Sequence, residues 1–499
     1  MDSILLGFSV SLAPGNLLAC FVGAVIGTLI GVLPGIGPVA TISLLLPVTL
    51  YLSPISATIM LAGIYYGAQY GGSITSILLN IPGEATTVVT CIEGYKMARQ
   101  GRAGPALAMS AIGSFIAGTL GVIGLMLFGP PLANFALNFG PTEYSSLIFF
   151  SLMLVGYFGG KSLTKAIMMA GVGLLIGTVG QDFVTQELRF DFGISEFADG
   201  ISQVPVLMGL FGVAEVLCNI EQIAKASTLT EKIGRLLPSW RDWRDSFGPI
   251  LRGSGIGFFM GIIPGSGAII PPFTSYALEK KISKHPEKFG NGAIEGLAGP
   301  EASNNAAAQG SFLPLLCLGL PPNAVAAILL GALMIHGVRV GPLLMSERPD
   351  LFWGVVTSMY VGNILLLVLN LPLIPLWVRV LKVPYYILFP LILLFCLIGA
   401  YSVNNSLVDV VVLIVFGFAG YWMRKYDYEV APLVLGLVLG PILEYSFRQS
   451  MILSQGDFTV FITRPLSAVF IIAALALPAS PMAQRLWRAA WPRKSSPPE

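Results

Sequence analysis

Charge is what this chain has least of. Asp, Glu, Lys and Arg make up 11% of its 499 residues, against about 25% in soluble domains. Between Ser3 and Gly83 there is no Asp, Glu, Lys, Arg or His at all. One membrane-spanning helix needs only about 20 apolar residues, so this gap excludes a soluble protein and implies a polytopic membrane protein. No polar stretch is long enough to hold a separate soluble domain. A formal net charge of +2 gives no reason to expect nucleic acid as a partner; membrane lipid is the expected surrounding.

The usual signs of catalysis and metal binding are missing too. There are two His, His285 and His336, and five scattered Cys, Cys20, Cys91, Cys218, Cys317 and Cys396. With no CxxC, a disulfide framework or zinc site has little support, and the cysteines read as small hydrophobes at helix interfaces. No His-Glu-x-x-His, Asp-rich pair or Gly-x-Ser-x-Gly supports an enzyme. No Gly-x4-Gly-Lys-Ser/Thr loop supports a nucleotide-driven machine. Neither a metal nor an organic cofactor is implied. The N-terminus carries Asp2 and no early Lys or Arg, so a cleavable signal peptide is not expected.

What the chain does have is a duplicated helix-breaking knot. Gly27-Thr-Leu-Ile-Gly31-Val-Leu-Pro34-Gly35-Ile-Gly37 is matched by Gly257-Phe-Phe-Met-Gly261-Ile-Ile-Pro264-Gly265-Ser-Gly267, each shared Gly and Pro offset by 230 residues. The likeness continues. Ile81-Pro82-Gly83-Glu84 matches Leu320-Pro321-Pro322-Asn323 at an offset of 239, and Gly104-Pro105 matches Gly341-Pro342 at 237. Val204-Pro205 with Gly209 matches Ala431-Pro432 with Gly436 at 227. Paired breaks in two halves are the sequence pattern of a secondary transporter. Backbone at membrane depth is non-helical only where protein or a watery cavity satisfies it, so the knots point to the substrate site.

Basic clumps mark cytoplasmic loops: Lys96–Arg102, Lys161–Lys165, Lys225–Arg252, Lys280–Lys288, Arg379–Lys382, Arg424–Lys425 and the tail from Arg485. Gln181–Gln203 has one Arg against five acids and reads as external. One path joins these. The N-terminus is periplasmic. Leu17–Leu33 and Val39–Leu50 form a re-entrant hairpin. The chain crosses inward by Lys96, then crosses near 106–128, 143–158, 166–180 and 204–219. A second hairpin at 253–278 starts from the cytoplasm, and crossings follow near 292–320, 353–378, 385–401, 407–422, 430–443 and 465–482. The C-terminus is cytoplasmic. The expected fold is therefore an all-α polytopic membrane protein of two inverted-topology repeats with re-entrant hairpins and broken helices. Residues 1–220 form the first repeat, 221–252 a basic linker, 253–484 the second repeat and 485–499 a cytoplasmic tail.

Broken helices expose N-terminal amides carrying partial positive charge, which makes an anion site without a buried Lys or Arg. Pro34, Gly35, Gly37, Gly83, Gly265, Gly267, Pro322 and Asn323 lie at the breaks, and Ser73, Thr75 and Ser266 add hydroxyls. The plainer reading is that Gly and Pro pack or kink membrane helices. Asn304 and Asn305, inside Gly299-Pro-Glu301-Ala-Ser303-Asn304-Asn305, need partners in an apolar chain; they would bind carboxylates or a cation, or simply bridge helices. Their counterpart is Gly63-Ile-Tyr-Tyr66-Gly67-Ala-Gln69. Glu84 and Glu301 are candidate intramembrane acids for cation coupling, or interfacial caps. Asn404, Asn405 and Lys161 read as solvated ends.

Four of these motifs together resemble the TctA family, the large membrane subunit of tripartite tricarboxylate transporters. They are Gly31-Val-Leu-Pro34-Gly35-Ile-Gly37-Pro38, Tyr66-Gly67-Ala-Gln69-Tyr-Gly71-Gly72-Ser73, Asn80-Ile-Pro82-Gly83-Glu84 and Pro300-Glu301-Ala-Ser303-Asn304-Asn305-Ala. The resemblance covers nearly the whole chain. It implies the translocating subunit of an importer for citrate-like di- and tricarboxylates in a bacterial inner membrane. It also implies a small membrane subunit, a periplasmic substrate-binding protein, and Na⁺ or H⁺ as coupling ion. A unit built from hairpins and broken helices that slides against the rest follows by analogy with other inverted-repeat anion carriers. A stand-alone carboxylate carrier is the alternative.

Overall fold

The computed structural model describes residues 2–33, 37–158, 162–182, 184–222, 236–380 and 385–490. Pro34, Gly35, Lys161, residues 223–235 of the basic linker and the end of the tail lie outside them.

Helix α1 (Asp2–Ser11) leads into the first copy. That copy runs α2 (Pro14–Val32), α3 (Gly37–Thr49), α4 (Pro54–Leu79), a 3₁₀ turn at Ala85–Thr87, α5 (Val88–Met97), α6 (Ala103–Ala136), α7 (Pro141–Phe158) and α8 (Leu163–Ile176). It ends on α9 (Gln203–Leu207) and α10 (Ala214–Gln222), joined by a π-helical stretch, Met208–Val213. The second copy runs α11 (Trp240–Ile262), α12 (Ile270–Ile282), α13 (Glu295–Gly310), α14 (Phe312–Leu318), α15 (Ala324–Ile335), α16 (Leu344–Glu347) and α17 (Pro349–Asn370). It continues through α18 (Ile374–Val380), α19 (Tyr385–Asn404), α20 (Leu407–Lys425) and α21 (Val430–Leu453); α22 (Val460–Thr463) and α23 (Pro465–Ala490) follow. A two-residue ribbon, Gly180–Gln181 with Leu188–Arg189, is the strand pair among the described residues.

The chain is an all-α polytopic membrane protein. Among the described residues, six segments are long and apolar enough to cross a bilayer: Pro14–Val32, Ala85–Ala136, Gln203–Ile220, Pro349–Asn370, Leu407–Lys425 and Val430–Leu453. The return arms α3 and α12, 13 residues each, fall short of the roughly 20 residues a crossing needs. The first arm, α2, does reach spanning length, longer than the sequence reading of a re-entrant arm suggested.

The duplication is visible in the packing. Lipid tails are as apolar as Leu, so membrane helices gain little by burying hydrophobes against each other; they associate by close packing of small residues. Gly23, Gly27 and Gly31 of α2 lie against the backbone of Met60, Ile64 and Ala68 of α4, where a Cβ would collide. Gly253, Gly257 and Gly261 of α11 lie in the same way against Gly299, Ser303 and Ala307 of α13. In return, Gly71 meets Thr28 and Gly310 meets Phe258. Each contact repeats with the same two offsets, 230 on one helix and 239 on the other, that the motifs carry.

Between the copies, helices exchange partners. α6 packs along α13 and α17 along α4; α8 packs on α21 and α20 on the π-helical stretch. The acidic loop at 181–203 is tied across as well. Asp182 accepts from the amides of Val184 at 2.7 Å and Thr185 at 2.9 Å. It also pairs with Arg448 of α21 at 2.7 Å and with Arg189 at 3.1 Å. The two amides, reinforced by the two guanidinium groups, pull its carboxyl down to about 2.

Candidate functional site

The breaks are built alike in both copies. Asn80 ends α4 and Gly319 ends α14, both in the left-handed region, at φ 58° and 67°. A Pro-containing turn follows each. Glu84 and Asn323 then stand as N-caps in extended conformation, and a new helix starts. The hairpin tips also correspond: Gly37 has φ 66° and Gly267 φ 56°, backbone that an L side chain rarely adopts. The Gly265 amide donates to the Pro322 carbonyl at 2.9 Å, which joins the second tip to the second break.

Both tips and both breaks face one cavity of about 800 Å³. Four helical starts border it: Gly37–Ala40 of α3, Glu84–Thr86 of the 3₁₀ turn, Ile270 of α12 and Asn323–Val325 of α15. Each helix N-terminus carries up to about half a positive charge on its unpaired amides. Pro38, Pro271 and Pro272 remove amides from two of the starts, so α15 and the Glu84 turn supply more of the donors. The Asn323 side chain caps α15, accepting from the Ala326 amide at 2.9 Å, and its Nδ2 donates to the Tyr65 hydroxyl at 3.2 Å. Tyr65 and Gln69 of α4 line the cavity as well, and Val155, Phe158, Phe211 and Leu435 give it an apolar wall. The basic side chain on the lining is Arg424 of α20, which is paired with Glu215 of α10. Glu84, Glu215 and Glu429 also stand on the lining, so an anion here would be met by helix starts and uncharged donors rather than by net positive charge, with its hydrophobic portion on the wall.

The sequence candidates divide accordingly. Gly37, Gly83, Glu84, Gly265, Ser266, Gly267, Pro322 and Asn323 line the cavity. Two of them do so for packing reasons. A Cβ on Gly83 would meet the Cα of Gly72 at 2.5 Å, and one on Gly265 would meet the Leu154 carbonyl at 2.6 Å. The Ser266 hydroxyl is turned back to the carbonyls that end α11, Met260 and Ile263. Ser73, Thr75, Glu301, Asn304 and Asn305 do not line the cavity. Thr75 donates to the Val32 carbonyl at 2.6 Å, and Asn305 Nδ2 donates to Ser114 at 2.7 Å. Ser73 turns to Glu301. Asn304 is buried with both side-chain polar atoms unpartnered, and Glu84 Oε1 and Gln69 Nε2 are also buried without a partner.

Several residues at this site escaped the sequence reading. Arg424 read as part of a basic loop clump, and its partner Glu215 lies 209 residues away, so nothing local links them. Thr90 and Ser110, which donate to Glu301 away from the cavity lining, are hydroxyls on apolar helices, indistinguishable in sequence from the many that bond their own backbone.

Comparison with known proteins gives a consistent picture. Residues 17–435 match the model of the Tripartite tricarboxylate transporter TctA family. The chain is 49% identical over 476 residues to an uncharacterized 52.8 kDa protein in the TAR-I ttuC' 3' region of Agrobacterium vitis, covering 95% of each chain. It is 52% identical over 212 residues to an uncharacterized protein in the TAR-II ttuC' 3' region of the same organism, covering 42% of this chain and 88% of that one. No solved structure matches it.

Proposed function

This chain belongs to the tripartite tricarboxylate transporter TctA family, and from that premise we propose that it is the translocating subunit of an ion-coupled importer of citrate-like di- and tricarboxylates. Its place is a bacterial inner membrane, with the N-terminus periplasmic and the C-terminus cytoplasmic. A periplasmic binding protein delivers the substrate and a small membrane subunit completes the assembly.

The observation that carries this reading is the convergence of four helix starts, two from each copy, on one cavity. Uncharged donors favour a carboxylate by dipole and hydrogen bond. They leave no bare buried cation when the carrier is empty, a state that would be costly. Arg424 obeys the same logic, because Glu215 neutralises it. The coupling ion, Na⁺ or H⁺, is assigned to the acids Glu84 and Glu301. The two tips and two breaks, of which the second tip and second break are hydrogen-bonded through Gly265 and Pro322, form the unit that slides as an elevator against the remaining helices.

Uptake into proteoliposomes, with and without the binding protein, tests the reading. Carboxylate accumulation should require the binding protein and an imposed cation gradient, and should persist without ATP. Uptake that is independent of the binding protein would identify a stand-alone carrier. Strict ATP dependence under a clamped gradient would refute the ion-coupled reading.

A further inference from the structure

Glu301 lies on α13 of the second copy with no exposed surface, yet the side chains that hold its carboxylate come from the first copy. Ser73 of α4 donates to Oε2 at 2.6 Å and Ser110 of α6 to the same oxygen at 2.8 Å; Thr90 of α5 donates to Oε1. Among the described residues no Lys, Arg or His pairs with it. A lone carboxylate at this depth is costly, so it requires a proton or a metal cation to offset its charge.

The contacts favour a proton. Ser73 and Ser110 stand at direct hydrogen-bond distance from Oε2, 2.6 and 2.8 Å, so the carboxylate is surrounded by hydroxyl donors rather than by a cluster of cation ligands. No group of three or more His, Cys, Asp or Glu that could hold a metal ion occurs among the described residues. A proton does fit, and Ser73 has the geometry to follow it: its hydroxyl is 2.6 Å from Glu301 Oε2 and 3.1 Å from the Gln69 carbonyl of its own helix.

We propose that Glu301 carries the coupling proton and that Ser73 is the hydroxyl that switches between its two states. With the proton on, Glu301 Oε2–H donates to Ser73 Oγ, and the Ser73 hydroxyl donates to the Gln69 carbonyl. With the proton released to cytoplasmic water, the Ser73 hydroxyl turns to Oε2. Only the Glu301 O–H bond is made or broken, and the Ser73 hydroxyl has an acceptor in both states. One proton entering with the anion offsets one of its charges.

The site is mechanically joined to the cavity. Gln69 and Thr86 line the cavity, with Thr86 Oγ1 donating to Gln69 Oε1 at 2.9 Å. Ser73 and Thr90, four residues further along the same segments, hold Glu301. Substrate that shifts Gln69 or Thr86 therefore shifts two of its three donors. The titratable groups within electrostatic reach are Glu84, Tyr70 and Cys91, all acidic. Nearer the cytoplasmic loop, Glu93 is held by Tyr276 and by the amides of Gly292 and Ala293. Arg252 is committed to Glu279 through two bonds, at 2.9 and 2.7 Å.

The inference rests on the carboxylate-carrier reading, and its test separates the two. The chain is reconstituted with its partner subunits, and citrate and malate serve as probes. The wild type should exchange carboxylate across the membrane and accumulate it under an imposed pH gradient with Na⁺ absent. Glu301→Gln should lose pH-driven accumulation at least tenfold, and whatever exchange it retains should no longer vary with pH. Ser73→Ala should lower accumulation in the same direction and carries the test if Glu301→Gln does not elute as a folded species. Wild-type accumulation in both variants overturns the proposal, as does accumulation that follows Na⁺ alone. Absence of exchange in the wild type overturns the carrier reading instead. Infrared difference spectra then decide the proton independently: a protonated carboxyl band should be present in the wild type and absent in Glu301→Gln, and its absence from the wild type overturns the assignment.

Discussion

Glu84 and Asn323 occupy the same position in the two copies, with φ −150° and ψ 170° at Glu84 and φ −151° and ψ 173° at Asn323. Each precedes a helix that starts at the cavity. One carries a carboxylate and the other an amide, so the two halves share a backbone and differ in charge. Asn323→Ala should cost about 0.5–2 kcal/mol through the lost cap. Asn323→Asp keeps an acceptor for Ala326 and should be folded, but it places a second carboxylate opposite Glu84 and should weaken carboxylate binding. Thermal unfolding and substrate titration of the two variants separate these effects.

The glycine contacts give a matched stability test within one helix. A Cβ at Gly257 would collide with the backbone of Ser303, whereas Gly255 has open space around it. Gly257→Ala should destabilise by about 1–3 kcal/mol, the range for overpacking, and Gly255→Ala should be nearly neutral. Thermal shifts in detergent check the pair; equal shifts would contradict the packing.

Much of this fold was legible because Gly and Pro carry backbone information directly. The offsets of 230 and 239 between motifs reappear as the offsets between α2–α11 and α4–α13 contacts. Side-chain direction was not legible. Helix α4 is buried around nearly its whole circumference, so no polar face shows which way Ser73 and Thr75 point. Both read as cavity donors, and the structure turns one to Glu301 and the other to Val32. The grip on Glu301 spans 191 to 228 residues of sequence, and no local pattern encodes such a pairing.

The orientation we propose across the membrane rests on the alternation of basic and acidic loops. A cysteine replacing Glu187 should react with a membrane-impermeant thiol reagent added outside. One replacing Arg241, whose side chain is 82% exposed, should react only after permeabilisation. External labelling at Arg241 would end the inverted arrangement.

Asp182 predicts how the external loop responds to acid. Its carboxyl is held down to about 2, first by the Thr185 and Val184 amides, against an ordinary value near 4. A lowered carboxyl stabilises the folded loop fully above about 4 and loses that contribution as pH falls toward 2. Proteolysis of the loop should therefore stay slow from pH 7 down to 4 in the wild type. Asp182→Asn should raise it at neutral pH, because the Val184 and Thr185 amides lose a charged acceptor and Arg189 and Arg448 keep only Glu444 as a shared anion.

The anion site at the converging helix starts is tested most directly through Ala324, the first residue of α15 and part of the cavity lining. An acid in the first turn of a helix favours the helix itself, so Ala324→Asp should fold. Its charge would stand where we propose that a substrate carboxylate binds. Binding of citrate and malate to purified wild type, Ala324→Ser and Ala324→Asp should show similar affinity for the first two and at least a tenfold loss for Asp. Equal affinity in all three would contradict a carboxylate site at this cavity.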